Sequence, residues 1–107
     1  MISFEEFKKI DLRVAKVITA EKVQESENLV KLEIDLGAEL GKRQILAGIQ
    51  KYYQPEELMG KQIIVVTNLK PKKIMGMESQ GMLLAAGDKE PILLMPDKEV
   101  LPGSKIH

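Results

Sequence analysis

The stretch Ile63-Ile64-Val65-Val66-Thr67-Asn68-Leu69-Lys70-Pro71-Lys72-Lys73-Ile74-Met75-Gly76-Met77-Glu78-Ser79-Gln80-Gly81-Met82-Leu83-Leu84-Ala85-Ala86 joins two apolar runs through a polar connection. The runs are short, unbroken and bounded by turn residues, so both read as buried strands. The connection carries three lysines, one proline and two glycines. No acidic residue occurs from Leu58 to Met77, whereas Lys61, Lys70, Lys72 and Lys73 all fall there. Positive charge without a counterweight, ending in a polar Ser79-Gln80-Gly81 corner, suits a phosphate backbone better than an apolar ligand.

The chain has 107 residues, 44% of them hydrophobic, which suffices for one globular domain over residues 1–107. Its 16 basic and 16 acidic residues cancel, so indiscriminate polyanion coating is disfavoured. The balance is uneven along the chain: Asp88 to Glu99 holds four acids against two lysines, implying one basic and one acidic face. No apolar run approaches the roughly 20 residues that span a bilayer, and the first residues are unlike a signal peptide. The absence of cysteine fits a reducing compartment, and a cytoplasmic location is expected.

Upstream of the quoted stretch, Ser3 and Glu6 have capping-box spacing, and Phe4, Phe7 and Ile10 mark a short amphipathic helix whose phenylalanines are expected to pack in the core. A first strand is expected over 12–20, with Leu12, Val14 and Ile18 sharing one face with Lys16. Over 29–36, Val30, Leu32, Ile34 and Leu36 alternate with polar residues and point inward. Gly37 and Gly41 bracket a turn into a third strand, 42–49. Pro55, Glu56 and Glu57 open a one-turn helix that Gly60 ends, and Tyr52 and Tyr53 are placed to anchor it. Downstream, Pro91 and Pro96 bracket the apolar run Ile92 to Met95 in a C-terminal extension. Three strands, a helix, then further strands give an all-β class. The arrangement is an OB-fold: a five-stranded Greek-key barrel with a short N-terminal helix and another between strands 3 and 4.

Catalytic patterns fail. The single histidine, His107, is the last residue and has no nucleophile assigned to it. Gly76 and Gly81 have P-loop spacing, but Met82 and Leu83 stand where Lys and Ser/Thr are needed. No metal-ligand spacing and no cofactor motif is present. Four aromatic residues are too few for a stacking-driven single-strand binder, whereas recognition of a folded RNA by phosphates and shape stays open. Each signature residue also has a structural reading: Asn68 as a turn cap, Ser79 and Gln80 as backbone partners, and the lysines as a solvated loop.

Five motifs then act together: Asp11-Leu12-Arg13-Val14; Ala47-Gly48-Ile49 with Lys51-Tyr52-Tyr53; Pro55-Glu56-Glu57-Leu58; Asn68-Leu69-Lys70-Pro71; and Glu78-Ser79-Gln80-Gly81-Met82. In register over nearly the whole chain, they resemble the structure-specific tRNA-binding domain family. That resemblance implies a non-catalytic OB-fold, usually a homodimer, that contacts the outer corner of the tRNA L. Members are free-standing, or serve as the beta subunit or C-terminal domain of methionyl-tRNA synthetase and raise its tRNA affinity. The implied tRNA-binding residues are Asn68, Lys70, Ser79, Gln80 and Met82, with Lys72, Lys73, Lys31 and Arg43 added for charge and expected placement. Many relatives carry a His-Pro-X-Ala-Asp-Lys-Leu segment where this chain has residues 23–29; Glu25 and Glu27 there disfavour RNA contact. A second branch, described as an export-related chaperone, shares the closing Pro102-Gly103-Ser104-Lys105 segment but tends to lack the Ser-Gln-Gly-Met corner. A dimeric chaperone of the same fold is therefore the alternative reading.

Overall fold

Strand β1 (Leu12–Lys22) is the spine of a curled five-stranded antiparallel sheet. The computed structural model describes residues 1–107. The other members are β2 (Val30–Asp35), β3 (Lys42–Ala47), β4 (Gln62–Val66) and β7 (Met82–Leu83), in the order β3-β2-β1-β4-β7. β1 is long enough to pair with β4 through Leu12 to Lys16 and with β2 through Lys16 to Lys22, so it turns the sheet on itself. The helix α1 (Phe4–Phe7) precedes β1, α2 (Gly37–Leu40) sits in the β2–β3 turn, and α3 (Pro55–Leu58) crosses from β3 to β4. This is the OB-like barrel that the order of elements implies.

The alternation in β2 holds: Val30, Leu32, Ile34 and Leu36 have no exposed surface. Leu58 of α3 is equally buried, and Gly60 N–H donates to Val17 O at 2.8 Å while Val17 N–H donates to Lys61 O at 2.9 Å. Pro55 at the helix start and the Gln54 N–H bond to Glu57 Oε2 (3.0 Å) set the entry that the sequence predicts. Tyr53 ties this corner to the C-terminal extension, its hydroxyl donating to Pro91 O (3.1 Å) and accepting from Leu93 N–H (3.3 Å).

Four expectations need correction. In β1 the core residues are Ala15, Val17 and Ala20, and Leu12, Val14 and Ile18, expected to share one face with Lys16, are not in the core cluster. A register shift between Val17 and Thr19 moves the inward phase by one residue. Val14 is buried outside that cluster, where its N–H donates to Ser104 O and its carbonyl accepts from Gly103 N–H. The capping box of α1 forms, but Phe4 and Phe7 lie at the surface, 69% and 37% exposed. The run from Met82 to Ala86 is not a buried strand: Met82, Ala85 and Ala86 are exposed, and β8 (Ala85–Ala86) pairs with β9 (Ile92–Leu93) outside the main sheet. Finally, the lysine connection is itself a hairpin, β5 (Lys72–Ile74) with β6 (Met77–Ser79).

Candidate nucleic-acid interface

The barrel closes between β3 and the segment after β6, and the polar corner makes the closure. Gln80 N–H donates to Gln44 O (2.8 Å), and Gln44 N–H donates back to Gln80 Oε1 (3.0 Å). Ser79 Oγ accepts from the buried Leu46 N–H (3.0 Å) and donates to Gly81 O (3.2 Å). Side chains thus stand in for ladder partners that the strands no longer supply. Gly81 completes the corner at φ 152°, where an added Cβ would lie 3.1 Å from Val66 O. The Gln44 amide also donates to Glu78 O (3.0 Å), which holds the base of the lysine hairpin against β3.

Arg43 works beside it. One guanidinium nitrogen donates to Thr67 O (2.6 Å) and Gln80 O (3.3 Å), joining both ends of the connection that carries the hairpin. Asn68 does the same job toward the amino terminus: its Oδ1 accepts from Asp11 N–H (2.9 Å) and its amide donates to Lys9 O (2.7 Å). Thr67 Oγ1 donates to Asp11 Oδ2 (2.7 Å), and Asp11 in turn pairs with Arg13 at 3.1 Å. Arg13 is 6% exposed and closes the network on Glu39 with two bonds, at 3.2 and 3.3 Å. Burial penalises the Asp11 carboxylate, yet hydrogen bonds from Thr67 and Arg13, with the charges of Arg13 and Lys105, outweigh it and hold its pKa below the ordinary value. The Glu39 carboxyl is lowered mainly by the Arg13 hydrogen bond, and Arg13 is raised mainly by Glu39.

The nine residues expected at the site therefore divide. Lys70, Lys72, Ser79 and Met82 line one groove of about 420 Å³, with Met82 48% exposed at its edge. Lys31, Arg43 and Gln80 lie in another on the β2–β3 face, and Asn68 lies in a third beside α1. Lys73 is exposed and faces Glu78 across the hairpin, which tempers its charge. Lys31 is bound to Glu21 at 2.7 Å. Of the four lysines among the nine, Lys70, Lys72 and Lys73 have no ion-pair partner, as holds for most lysines of the chain. What sets these three apart is that they fall together on and beside the hairpin, in a stretch from Leu58 to Met77 without an acidic residue. The polar amides and the Ser79 hydroxyl each already hold a backbone group. The Gln80 amide nitrogen is the exception, with no bond inside the chain.

Sequence reasoning missed Gln44, Thr67 and Asp11 as the residues that position the lysines. No periodicity announces them; only the Asp11-Leu12-Arg13-Val14 motif contained a clue, because a charged pair two residues apart in an apolar strand needs partners. At the hairpin tip the sequence leaves Met75 and Met77 open between core and an exposed apolar lip, and the turn itself was not expected. Met75 and Gly76 form this two-residue turn at φ 51° and 78°, and Met75 is the one non-glycine residue with left-handed backbone. That conformation costs a residue with a Cβ about 1–2 kcal/mol.

With this geometry in hand, the comparisons place the chain. Residues 12–105 match the family model described as "Putative tRNA binding domain", and the chain belongs to that family. The family is described as one of tRNA-binding domains. It is 58% identical over 106 residues to the methionine–tRNA ligase of Thermotoga maritima and 51% identical over 107 to that of Pyrococcus furiosus. These alignments cover 98% and 99% of this chain but only 16% and 14% of the ligases. The chain thus spans about one-sixth of the length of the curated relatives it matches. Among solved structures, chaperone CsaA from Bacillus anthracis superposes with a TM-score of 0.91 at 39% identity, covering 100% of this chain and 99% of the other. A protein from Pyrococcus horikoshii described as related to methionyl-tRNA synthetase superposes with a TM-score of 0.89 at 39% identity, covering 100% and 98%. No helix is long and apolar enough to cross a membrane.

Proposed function

We propose that residues 1–107 act as one non-catalytic module that binds the outer corner of the tRNA L by its shape. It works in the cytoplasm, either free-standing or as the beta subunit or C-terminal domain of a methionyl-tRNA synthetase whose tRNA affinity it raises. The observation that carries this reading is the exposed, unpaired set Lys70, Lys72 and Lys73, held on a clamped hairpin in a chain of zero net charge that belongs to a tRNA-binding family. The lysines take phosphates, the Met82 side chain gives an apolar contact beside Lys70 and Lys72, and the free Gln80 amide donates to a phosphate or ribose oxygen. Arg43, Asn68, Ser79 and the neutralised Lys31 serve by holding the surface in place.

Fluorescence anisotropy with labelled, folded tRNA across a salt series tests it. Folded tRNAs of differing sequence compete and unstructured RNA or single-stranded DNA does not. Lys72→Glu with Lys73→Glu lowers affinity by about tenfold or more and flattens the logarithmic salt slope by roughly 2. No binding at low salt, equal competition by every strand, or an unchanged slope in the variant overturns the reading.

A second reading rests on the likeness to solved CsaA chaperones together with the exposed apolar side chains of Phe4, Ile10, Ile92, Leu94 and Met95. Suppression of aggregation of an unfolded client at near-stoichiometric amounts, with no RNA binding, would establish that function instead.

A further inference from the structure

The tip of the lysine hairpin faces the loop between β1 and β2 across a groove of about 370 Å³ that includes Met75, Met77 and Val23. We infer that this groove takes one unstacked nucleobase of the bound RNA, held against the thioethers of Met75 and Met77. The inference rests on the tRNA reading above and adds a contact to a base where that reading needs only phosphate, ribose and shape.

Local folding does not select Met75. A two-residue turn that joins paired Ile74 and Met77 with both φ values positive is best served by Asn, Asp or Gly at its first position. A long side chain with a Cβ is among the poorer choices there. Core packing does not recover the loss, because Met75 is 50% exposed. Strain kept at an exposed position points to a use for the side chain.

The charges in the groove identify the ligand. Glu21 is tied to Lys31 at 2.7 Å, and Lys22 offsets Glu25, so this wall has no net charge to attract a phosphate. The acids of this loop, which from sequence disfavour RNA contact, act against a phosphate and not against a base. Thioether, amide and carboxylate together fit a flat, uncharged heteroaromatic ring: methionine sulfur lies well against ring edges and faces, and Gln24 and Glu25 accept from exocyclic amines. Such rings occur unstacked in the loops of a folded RNA and are absent from the surface of an uninterrupted helix. Lys72 and Lys73 precede the tip on the same hairpin, so one strand can leave its phosphates on the lysines and turn a base into the groove.

The test compares the full chain with Met75→Asn and Met75→Leu, by tRNA anisotropy at several salt concentrations and by thermal unfolding. Met75→Asn relieves the turn, so its Tm equals or exceeds that of the parent. Its affinity nevertheless falls roughly three- to tenfold, with the salt slope unchanged because no phosphate contact is lost. Met75→Leu keeps most of the affinity. A series of corner-loop abasic tRNAs then contains one that weakens the parent chain and not Met75→Asn. Parental affinity in Met75→Asn, or a loss that comes with a lower Tm or an altered slope, overturns this inference while leaving the tRNA reading intact. Absence of tRNA binding by the parent chain overturns both.

Discussion

Ser79, a residue of the Glu78-Ser79-Gln80-Gly81-Met82 motif, already has its hydroxyl engaged inside the fold. Its hydroxyl accepts from a buried Leu46 N–H and donates to Gly81 O, which uses the donor and one acceptor position of the group. Ser79→Ala leaves the Leu46 N–H without a partner, a loss of about 1–3 kcal/mol. For a chain of this size that lowers Tm by several degrees, on the order of 4–8 °C per kcal/mol. Affinity for tRNA measured well below Tm stays within about twofold of the parent, since no direct contact is removed. A tenfold loss of affinity at unchanged Tm would put the hydroxyl on the RNA instead. Sequence alone left the two roles of Ser79, Gln80 and Asn68 open, because a short polar side chain suits a turn and a phosphate equally well. The structural role depends on a partner 33 or 57 residues away, Leu46 for Ser79 and Asp11 for Asn68, and no local pattern reports such distances.

At the scale of elements, legibility followed how many neighbours a strand has. β2 was readable in every residue because one face is buried and the other is wet. β1 was not readable to a core face, because it is flanked by β2, by β4 and by residues 103–106, and carries a bulge at the change of partner. That C-terminal strap lies close against the start of α2: a Cβ at Gly37 would collide with Pro102 O, and one at Gly103 with Leu36 O. The Asp11–Arg13–Glu39 clamp holds it, with Arg13 also reaching Gly103 O. Both carboxyls have folded-state pKa values below their ordinary ones. Such groups stabilise the fold at pH above the unfolded value, about 3.9 for Asp and 4.3 for Glu. That stabilisation is lost as pH falls through the lower folded values. The parent chain therefore loses Tm steeply below about pH 4. Asp11→Asn is less stable at pH 7 by about 2 kcal/mol, because Arg13 is buried and keeps only Glu39. Its Tm then declines less between pH 5 and pH 3, where the parent gives up what the variant never had. Parallel Tm curves for the two chains would show that Asp11 is not the group that titrates.

For the whole molecule, the surface that the barrel leaves uncovered is apolar and lies opposite in kind to the lysine hairpin. Phe4, Phe7, Ile10, Leu12 and Ile106 share a groove of about 560 Å³ formed by both ends of the chain. The phenylalanines were expected in the core, and their periodicity was sound; what sequence does not reveal is whether an apolar face is covered by its own chain or by another. We propose that a second copy covers it, since a two-fold pair buries the same patch on both partners and needs no other molecule. Light scattering at micromolar concentration then gives twice the 12.0 kDa chain mass. Phe4→Asp with Phe7→Asp returns the monomer and leaves the barrel folded, because neither side chain is part of the core cluster. The consequence reaches the RNA. Paired chains present the lysine hairpin twice, so if one tRNA spans both, the monomeric variant binds about a hundredfold more weakly with every lysine in place. If each copy holds its own tRNA, affinity is unchanged and the stoichiometry stays at one tRNA per chain. A parent chain that scatters as a monomer at these concentrations removes the two-fold pair, and the avidity argument with it.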